Sequence, residues 1–317
     1  MIVLLFAIGL VYVLYALWLL RMIVQWQRAD DAPESCQDGN HLTIIIPFRN
    51  EADHLPALLN TLSEQMHESA GARIILVDDH STDNSLSIAH QFKQENEEVT
   101  VISQVETHGK KMGVDIALAL VKTDWVVTLD ADIQPCEGWL KRVASWTKNN
   151  TNDLLILPLR IGPGTNLIGR LQEVEFASVM AITGGMALAG EPILCNGGNL
   201  CFRKEAYERV RNSRKDMHIT SGDDVFLLNA LKPFGKVAWV HDPHVRVSTT
   251  PKSSWAAFAA QRLRWMGKAG FIRDKWLQFT AWLAFLANGT FLLTAIASLL
   301  GNFNPIFFLW LAAIKII

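Results

Sequence analysis

The sequence predicts an α/β domain built on an open, mostly parallel sheet, with membrane-spanning helices at its flanks. Three observations carry this prediction. Short β-branched runs alternate with helical patterns through the middle of the chain. Those runs are apolar throughout instead of alternating with polar residues, the mark of parallel strands covered on both faces. Both chain ends are long apolar stretches almost without charge.

The elements follow in order. Ile2 to Leu20 (IVLLFAIGLVYVLYALWLL) carries no charge, and a bilayer-spanning helix needs roughly 20 apolar residues. A cleaved secretory signal fits less well: no basic residue precedes the run, and no small-residue cleavage site follows. Arg21 and Arg28 follow the run, so the positive-inside tendency places the rest of the chain in the cytoplasm. After an acidic linker, LTIIIP (Leu42 to Pro47) reads as a strand and Glu51 to Gln65 as a helix. RIILVDD (Arg73 to Asp79) is the next strand, followed by a helix from Thr82 to Asn96. EVTVIS (Glu98 to Ser103) and WVVTLD (Trp125 to Asp130) are strands on either side of a helix from Lys110 to Val121, and LLILPL (Leu154 to Leu159) is a further strand. A second charge-free apolar block runs from Trp276 to Leu300 and ends at GNFNP (Gly301 to Pro305). Ile306 to Ile317 is apolar except for Lys315, and as a helix it is too short to cross a bilayer.

Composition narrows the function classes. The chain has 317 residues, half of them apolar, which excludes a disordered chain. Its mean hydropathy is +0.18, high for a fully soluble protein. Lys plus Arg is 29 against 31 Asp plus Glu, and this near balance argues against a nucleic-acid partner. The four cysteines, Cys36, Cys136, Cys195 and Cys201, show no CxxC spacing. Reduced thiols are therefore expected, not a zinc site or a disulfide framework.

Acids stand where an open α/β sheet binds its ligand, beyond the carboxyl ends of strands. Asp78 and Asp79 end one strand; Asp130 and Asp132 end another as LDAD. A carboxylate pair separated by one residue can hold a hard divalent cation, which in turn binds a diphosphate. Asp79, followed by HSTDNS, is equally well explained as a helix cap. Asp223 and Asp224, in TSGDDVFLL (Thr220 to Leu228), open a helix. A carboxylate there can take a proton from an attacking hydroxyl, or simply interact with the helix dipole. In QRLRW, residues Gln261, Arg264 and Trp265 share one helix face, where a guanidinium can clamp phosphate and an indole can stack on a sugar. The surrounding stretch, Lys252 to Lys275, carries six basic residues and one acid and also reads as a basic helix on a membrane surface. The two roles are compatible on different faces. His241 and His244, in HDPHVRV, fit a strand pattern and read as core or surface histidines.

In this order and spacing the pieces IIIPFRNEADHL, ILVDDHSTDNS, GKKMGVDIAL, TLDAD, ILCNGGNLCFRKEAY, SGDDVFLL and QRLRW resemble a membrane-bound glycosyltransferase of family 2. That group includes cellulose, chitin, hyaluronan and poly-N-acetylglucosamine synthases and ceramide glucosyltransferase. The resemblance covers His41 to Lys268 and the flanking membrane helices. It implies the GT-A fold, a Rossmann-like sheet binding a nucleotide-sugar, and an enzyme of the hexosyltransferase type. By that likeness Pro47, Arg49 and Glu51 line a uridine pocket, and Asp79 contacts the nucleobase or ribose. Lys111, with Lys110 as its rival, sits near the nucleotide. Asp130 and Asp132 hold Mg²⁺ or Mn²⁺, with Asp132 the more direct ligand. Asp224 matches the general base, beside Asp223. Gln261 and Arg264 grip the diphosphate, Trp265 forms the acceptor floor, and Gly197 and Gly198 face the acceptor. Asn196 stands where many synthases have cysteine.

The expected organisation is an N-terminal anchor (1–27), a linker (28–40) and a cytoplasmic catalytic domain (41–250). An interfacial helix with QRLRW (251–275) and C-terminal membrane segments (276–317) complete it. The expected reaction is inverting transfer from a UDP-sugar to a lipid, lipid-linked or glycan acceptor at the cytoplasmic face of the cell's inner membrane. A processive polysaccharide synthase and a catalytically inactive membrane scaffold are the alternatives.

Overall fold

The structure is a computed structural model that describes residues 2–28, 33, 38–68, 71–148, 150–214, 222–267, 272–301 and 304–316. Most of the expected linker, including Cys36, and Thr220, Ser221, Lys268 and Phe271 lie outside the described residues. The chain starts with helix α1 (Ile2–Trp26), then β1 (Leu42–Phe48), α2 (Leu55–Glu68), β2 (Arg73–Asp78), α3 (Ser85–Glu95), β3 (Val99–Ser103), α4 (Lys110–Leu118) and β4 (Trp125–Leu129). It continues with β5 (Ile133–Pro135), α5 (Trp139–Thr147), β6 (Leu154–Ile156), β7 (Leu159–Ile161), α6 (Leu167–Leu188), β8 (Asn199–Arg203), α7 (Lys204–Arg211) and α8 (Asp223–Leu231). The last elements are β9 (Val237–Trp239), β10 (Val247–Thr249), α9 (Trp255–Met266), α10 (Lys275–Leu299) and α11 (Pro305–Ile316).

Two compact units result. One comprises Ala29–Ile272; the other combines Met1–Arg28 with Arg273–Ile317. The first is the α/β unit. Its seven-stranded sheet has the order β3-β2-β1-β4-β8-β6-β9. Strands β3, β2, β1 and β4 are mutually parallel. Every residue of β1 and of β4 is buried, because helices cover both faces of a parallel sheet. Each buried Ile or Leu contributes about 1.5–3 kcal/mol, and Ile44, Ile45 and Ile46 are all fully buried. The continuous apolar runs of the sequence are explained by this double cover.

Beyond β4 the sheet changes character. Strand β8 runs antiparallel to both β4 and β6. The stretch LLILPL, expected as one strand, is two: β6 pairs in the large sheet, and β7 joins a separate three-stranded sheet of order β5-β10-β7. Pro158 lies between them, and a proline lacks the N–H that a continuous ladder would need. The stretch around His241 and His244 is not a strand. Asp242 accepts from the His244 N–H at 2.9 Å and caps a 3-10 turn, Pro243–Val245.

The second unit contains two helices that are long and apolar enough to cross a membrane, Val3–Trp26 and Lys275–Leu299, and the shorter apolar Pro305–Lys315. Ile8, Tyr12 and Leu311 pack together, and the Tyr12 hydroxyl donates to the Ala287 carbonyl at 3.0 Å. Leu4, Phe6, Leu17, Trp282, Phe285 and Leu293 are exposed, as an apolar surrounding would require.

Candidate active site

The sheet register builds the centre of the site. Leu129 lies opposite Asn199 in the antiparallel β4–β8 pair, so the residue before Asn199 falls beside the residue after Leu129. That brings Gly198 against Asp130. A Cβ on Gly198 would lie 2.9 Å from Asp130 Oδ2, and one on Gly197 would lie 3.1 Å from Lys110 Nζ and 3.3 Å from Asp224 Cβ. Any larger side chain here would displace the charged groups.

Lys110 sits at the start of α4, and its Nζ donates to Asp130 Oδ1 at 2.5 Å and to the Gly197 carbonyl at 2.7 Å. The charges of Asp130, Asp224 and Asp223 outweigh the burial that would otherwise lower its pKa, and the ammonium is held above its ordinary value. Lys110 is thus a lysine that reaches the LDAD acids. Lys111 is buried, with Nζ 4.9 Å from the centroid of the Phe226 ring.

Asp223 and Asp224 occupy the first turn of α8 behind Gly222, whose φ of 83° turns the chain into the helix. They divide the work. Asp223 pairs with the fully buried Arg214 guanidinium, which lies 5.6 Å from the Tyr207 ring. Asp224 instead lies against Gly197 and within electrostatic reach of Lys110. Cys195, one strand-lead away, is buried; burial first, then the Asp224 and Asp223 charges, pushes its thiol well above the ordinary range.

Asp132 leads into β5, and Thr249 Oγ1 on β10 lies 3.5 Å from its Oδ2. Burial, then the Asp130 charge, raises its carboxyl against the opposing pull of Lys252 and His54. Glu51 is raised in the same way by burial, with Asp132 adding to it and the His54 hydrogen bond of 2.9 Å opposing it. Asp132 thus feels the charges of Asp130, Lys252 and His54, and Glu51 pairs with His54. Sequence reasoning assigned His54 and Lys252 no role at this site.

Pro47 is buried inside β1 opposite Val77, and Arg49 is exposed in the following loop. That loop is tied to the one after β2. Asn50, at a left-handed φ of 54°, accepts from the Thr82 N–H at 2.8 Å, and the Glu51 N–H donates to Ser85 Oγ at 2.8 Å. Asp79 Oδ2 accepts from the Gly109 N–H at 2.9 Å, so it orients the start of α4 and with it Lys110.

Helix α9 carries QRLRW. Trp265 is half-buried, packs against the main core and lies 6.1 Å from Phe176 on α6. The anchor of this helix is Arg262, a residue sequence reasoning passed over. Both its Nε and Nη2 reach the Glu175 carboxylate on α6, and its Nη1 donates to Gln261 Oε1 at 2.7 Å. The guanidinium also lies 4.5 Å from the Phe258 ring and 4.3 Å from the Trp265 ring. Gln261 is thereby engaged by Arg262, while Arg264 is exposed. The Arg262–Glu175 pair spans 87 residues, which no local pattern reveals.

The geometry fits known proteins at the level of family and fold. The family model described as glycosyl transferase family 2 matches residues 43–211, more than half of the chain. A poly(ribitol-phosphate) beta-glucosyltransferase of Bacillus spizizenii is 31% identical over 120 residues, covering 38% of this chain and 19% of that protein. The chain spans between about a fifth and two fifths of the length of the curated relatives it matches. Among solved structures, the mannosyltransferase PcManGT from Pyrobaculum calidifontis, in complex with GDP-Man and Mn²⁺, matches with a TM-score of 0.59 at 16% identity, over 98% of each chain. The S. aureus TarS 1-349 structure in complex with UDP-GlcNAc matches with a TM-score of 0.51 at 17% identity, over 67% of this chain and 59% of that one. Both show a shared fold.

Proposed function

Because the chain belongs to glycosyl transferase family 2, we propose that it is an inverting transferase that moves a sugar from a nucleotide-sugar to an acceptor hydroxyl. The observation that carries this reading is the convergence of Asp130, Lys110, the Gly197–Gly198 turn and Asp224 at one sheet edge. A candidate cation ligand, an ammonium suited to phosphate, two closely packed glycines and a candidate base lie side by side.

A hard divalent cation, Mg²⁺ or Mn²⁺, fits Asp130 and Asp132. Asp132 is held high by burial and by the neighbouring Asp130 charge, and shared positive charge relieves such a pair. When bound, such an ion supplies charge neutralisation for a departing diphosphate. The remaining steps belong to the chain. Lys110, oriented by the Asp79–Gly109 hydrogen bond, meets the diphosphate, and Gln261 and Arg264 hold it from α9. Pro47, Arg49, Glu51 and Asp79 seat the nucleoside. Asp224 takes the proton from the acceptor hydroxyl as it attacks the anomeric carbon opposite the leaving group. Asp223 is paired with the buried Arg214, and Asp224 lies against the Gly197 turn. Gly197 and Gly198 let the acceptor approach, and Trp265 offers an aromatic face for it.

The donor is a UDP-sugar and the acceptor a lipid, lipid-linked or glycan hydroxyl at the cytoplasmic membrane face. Two apolar helices adjoining the α/β unit in the chain support anchoring through 1–27 and 276–317. The test is nucleotide release from a panel of UDP- and GDP-sugars by the full chain in detergent or nanodiscs, with and without Mn²⁺. UDP release that requires Mn²⁺ and falls by about 10²–10⁴ in Asp224→Asn, the range for a lost general base, supports the reading. Equal release by wild type and variant overturns the base, and release only from GDP-sugars overturns the donor.

A further inference from the structure

A second group of metal-ligating side chains lies on the same sheet edge, away from the LDAD acids. Asp79 ends the β2 lead, His80 follows it at a left-handed φ of 59°, and His108 comes from the loop between β3 and α4. One ligand atom from each residue lies within 4.8 Å of the others. Asp79 Oδ1 and His80 Nδ1 are 3.3 Å apart, and the two imidazoles stack with centroids 4.0 Å apart. We infer that Asp79, His80 and His108 form a binding site for a borderline transition-metal ion such as Zn²⁺ or Co²⁺, distinct from the Asp130–Asp132 pair.

The donor chemistry selects the ion class. Two imidazoles and one carboxylate suit zinc, cobalt, nickel or copper, whereas magnesium and calcium favour all-oxygen sites. Three protein ligands with a fourth position open is a common zinc arrangement. Ligand atoms around a tetrahedral ion at about 2.1 Å stand roughly 3.4 Å apart. The Asp79–His80 pair already meets that spacing, and the exposed His108 ring closes the rest by side-chain rotation.

The supporting shell is also in place. Asp79 uses Oδ2 to accept from the Gly109 N–H, which turns Oδ1 toward His80. The His108 loop is braced by Gln104, which is buried, accepts from Thr107 Oγ1 at 3.0 Å and donates to the Gly109 carbonyl at 3.3 Å. Hydrogen bonds of this kind orient ligands and sharpen metal affinity. An ion here would tie the end of β2 to the two residues before Lys110, and so fix the lysine that reaches Asp130. The inference concerns metal binding alone and does not rest on the transferase reading; since it uses the Asp79 carboxylate that the reading gives to the nucleoside, ion and nucleotide exclude one another there.

The test is a Co²⁺ titration of the full chain, purified without a polyhistidine tag and followed by visible absorption. Wild type should bind one Co²⁺ with the strong bands of four-coordinate cobalt, and millimolar Mg²⁺ should not displace it. His108→Ala and His80→Asn should each weaken binding at least about tenfold, the scale on which even supporting groups count. Asparagine at position 80 accepts the left-handed backbone, so the variant should keep the wild-type melting temperature. Asp130→Asn should bind Co²⁺ like wild type. Binding unchanged in both histidine variants, bands lost in Asp130→Asn instead, or no bands at all would overturn the site.

Discussion

Strand β2 ends in Asp78, followed by Asp79, and strand β4 leads into Asp130 and Asp132, so the same sheet edge carries two acidic pairs. Their surroundings differ. At β2 both carboxylates accept backbone N–H groups: Ser81 donates to Asp78 at 3.1 Å, and Gly109 donates to Asp79 at 2.9 Å. These acids close turns by accepting from partly buried backbone donors. At β4 the partners are charges. Lys110 meets Asp130, and Asp132 is raised by burial and by Asp130 itself. The β2 acids are held by backbone amides, whereas the β4 acids answer to charged neighbours.

The contrast can be broken by substitution. Asp132→Asn should lower metal-dependent nucleotide release by roughly 10³, about 4 kcal/mol of transition-state stabilisation, as read by steady-state kinetics. A comparable drop in Asp78→Asn would erase the distinction between the pairs. The second expectation concerns the α8 acids. Asp223→Asn strands the fully buried Arg214 charge, so it should cost about 3 kcal/mol of stability in a denaturant titration, whereas Asp224→Asn should leave the unfolding midpoint close to wild type and remove turnover.

The lysines sharpen the comparison further. Lys110→Ala should raise the donor KM or lower kcat/KM by about 30-fold, near 2 kcal/mol, because an ammonium leaves the diphosphate site. Lys111→Ala should act on stability and leave kcat/KM within about threefold. Asp242 offers a case built like the β2 pair. Its carboxyl, though buried, is held below its ordinary value by the Trp146 indole, the His244 N–H and Arg142. A depressed carboxyl adds stability that is present above the unfolded value near pH 4 and is lost as pH falls through the folded value. Replacing it by Asn should therefore cost about 1–2 kcal/mol at pH 7 and less at pH 3, as measured by urea unfolding. The smallest effect belongs to Asp78→Ala, which orphans one amide and should cost about 1 kcal/mol.

Legibility followed the same divide. Strands β1, β2 and β4 could be read because double burial writes itself as unbroken apolar runs, and the partly exposed edge strand β3 through its β-branched residues. Strands β6 and β7 could not be separated, because Leu154 to Leu159 is apolar throughout and only Pro158 marks the change of sheet. Strand β8 lies between glycines and an arginine, and the 22-residue α6 contains Gly169, Gly184 and Gly185, so neither gives a clean period. The site acids were visible as types at strand and helix ends. Which lysine faces them depends on helical phase, and the Arg262–Glu175 anchor depends on a contact far apart in the chain. Asp79 shows the limit most plainly, since cap and ligand readings of one aspartate differ only in what lies across from it.

Donor-dependent Mn²⁺ binding tests the central claim most directly. The full chain would be titrated with Mn²⁺ in the presence and absence of UDP, and free Mn²⁺ followed by its paramagnetic resonance signal. UDP should tighten Mn²⁺ binding in wild type and in Asp78→Asn, and should fail to do so in Asp132→Asn. Retention of UDP-dependent Mn²⁺ binding in Asp132→Asn, with loss in Asp78→Asn, would contradict the account.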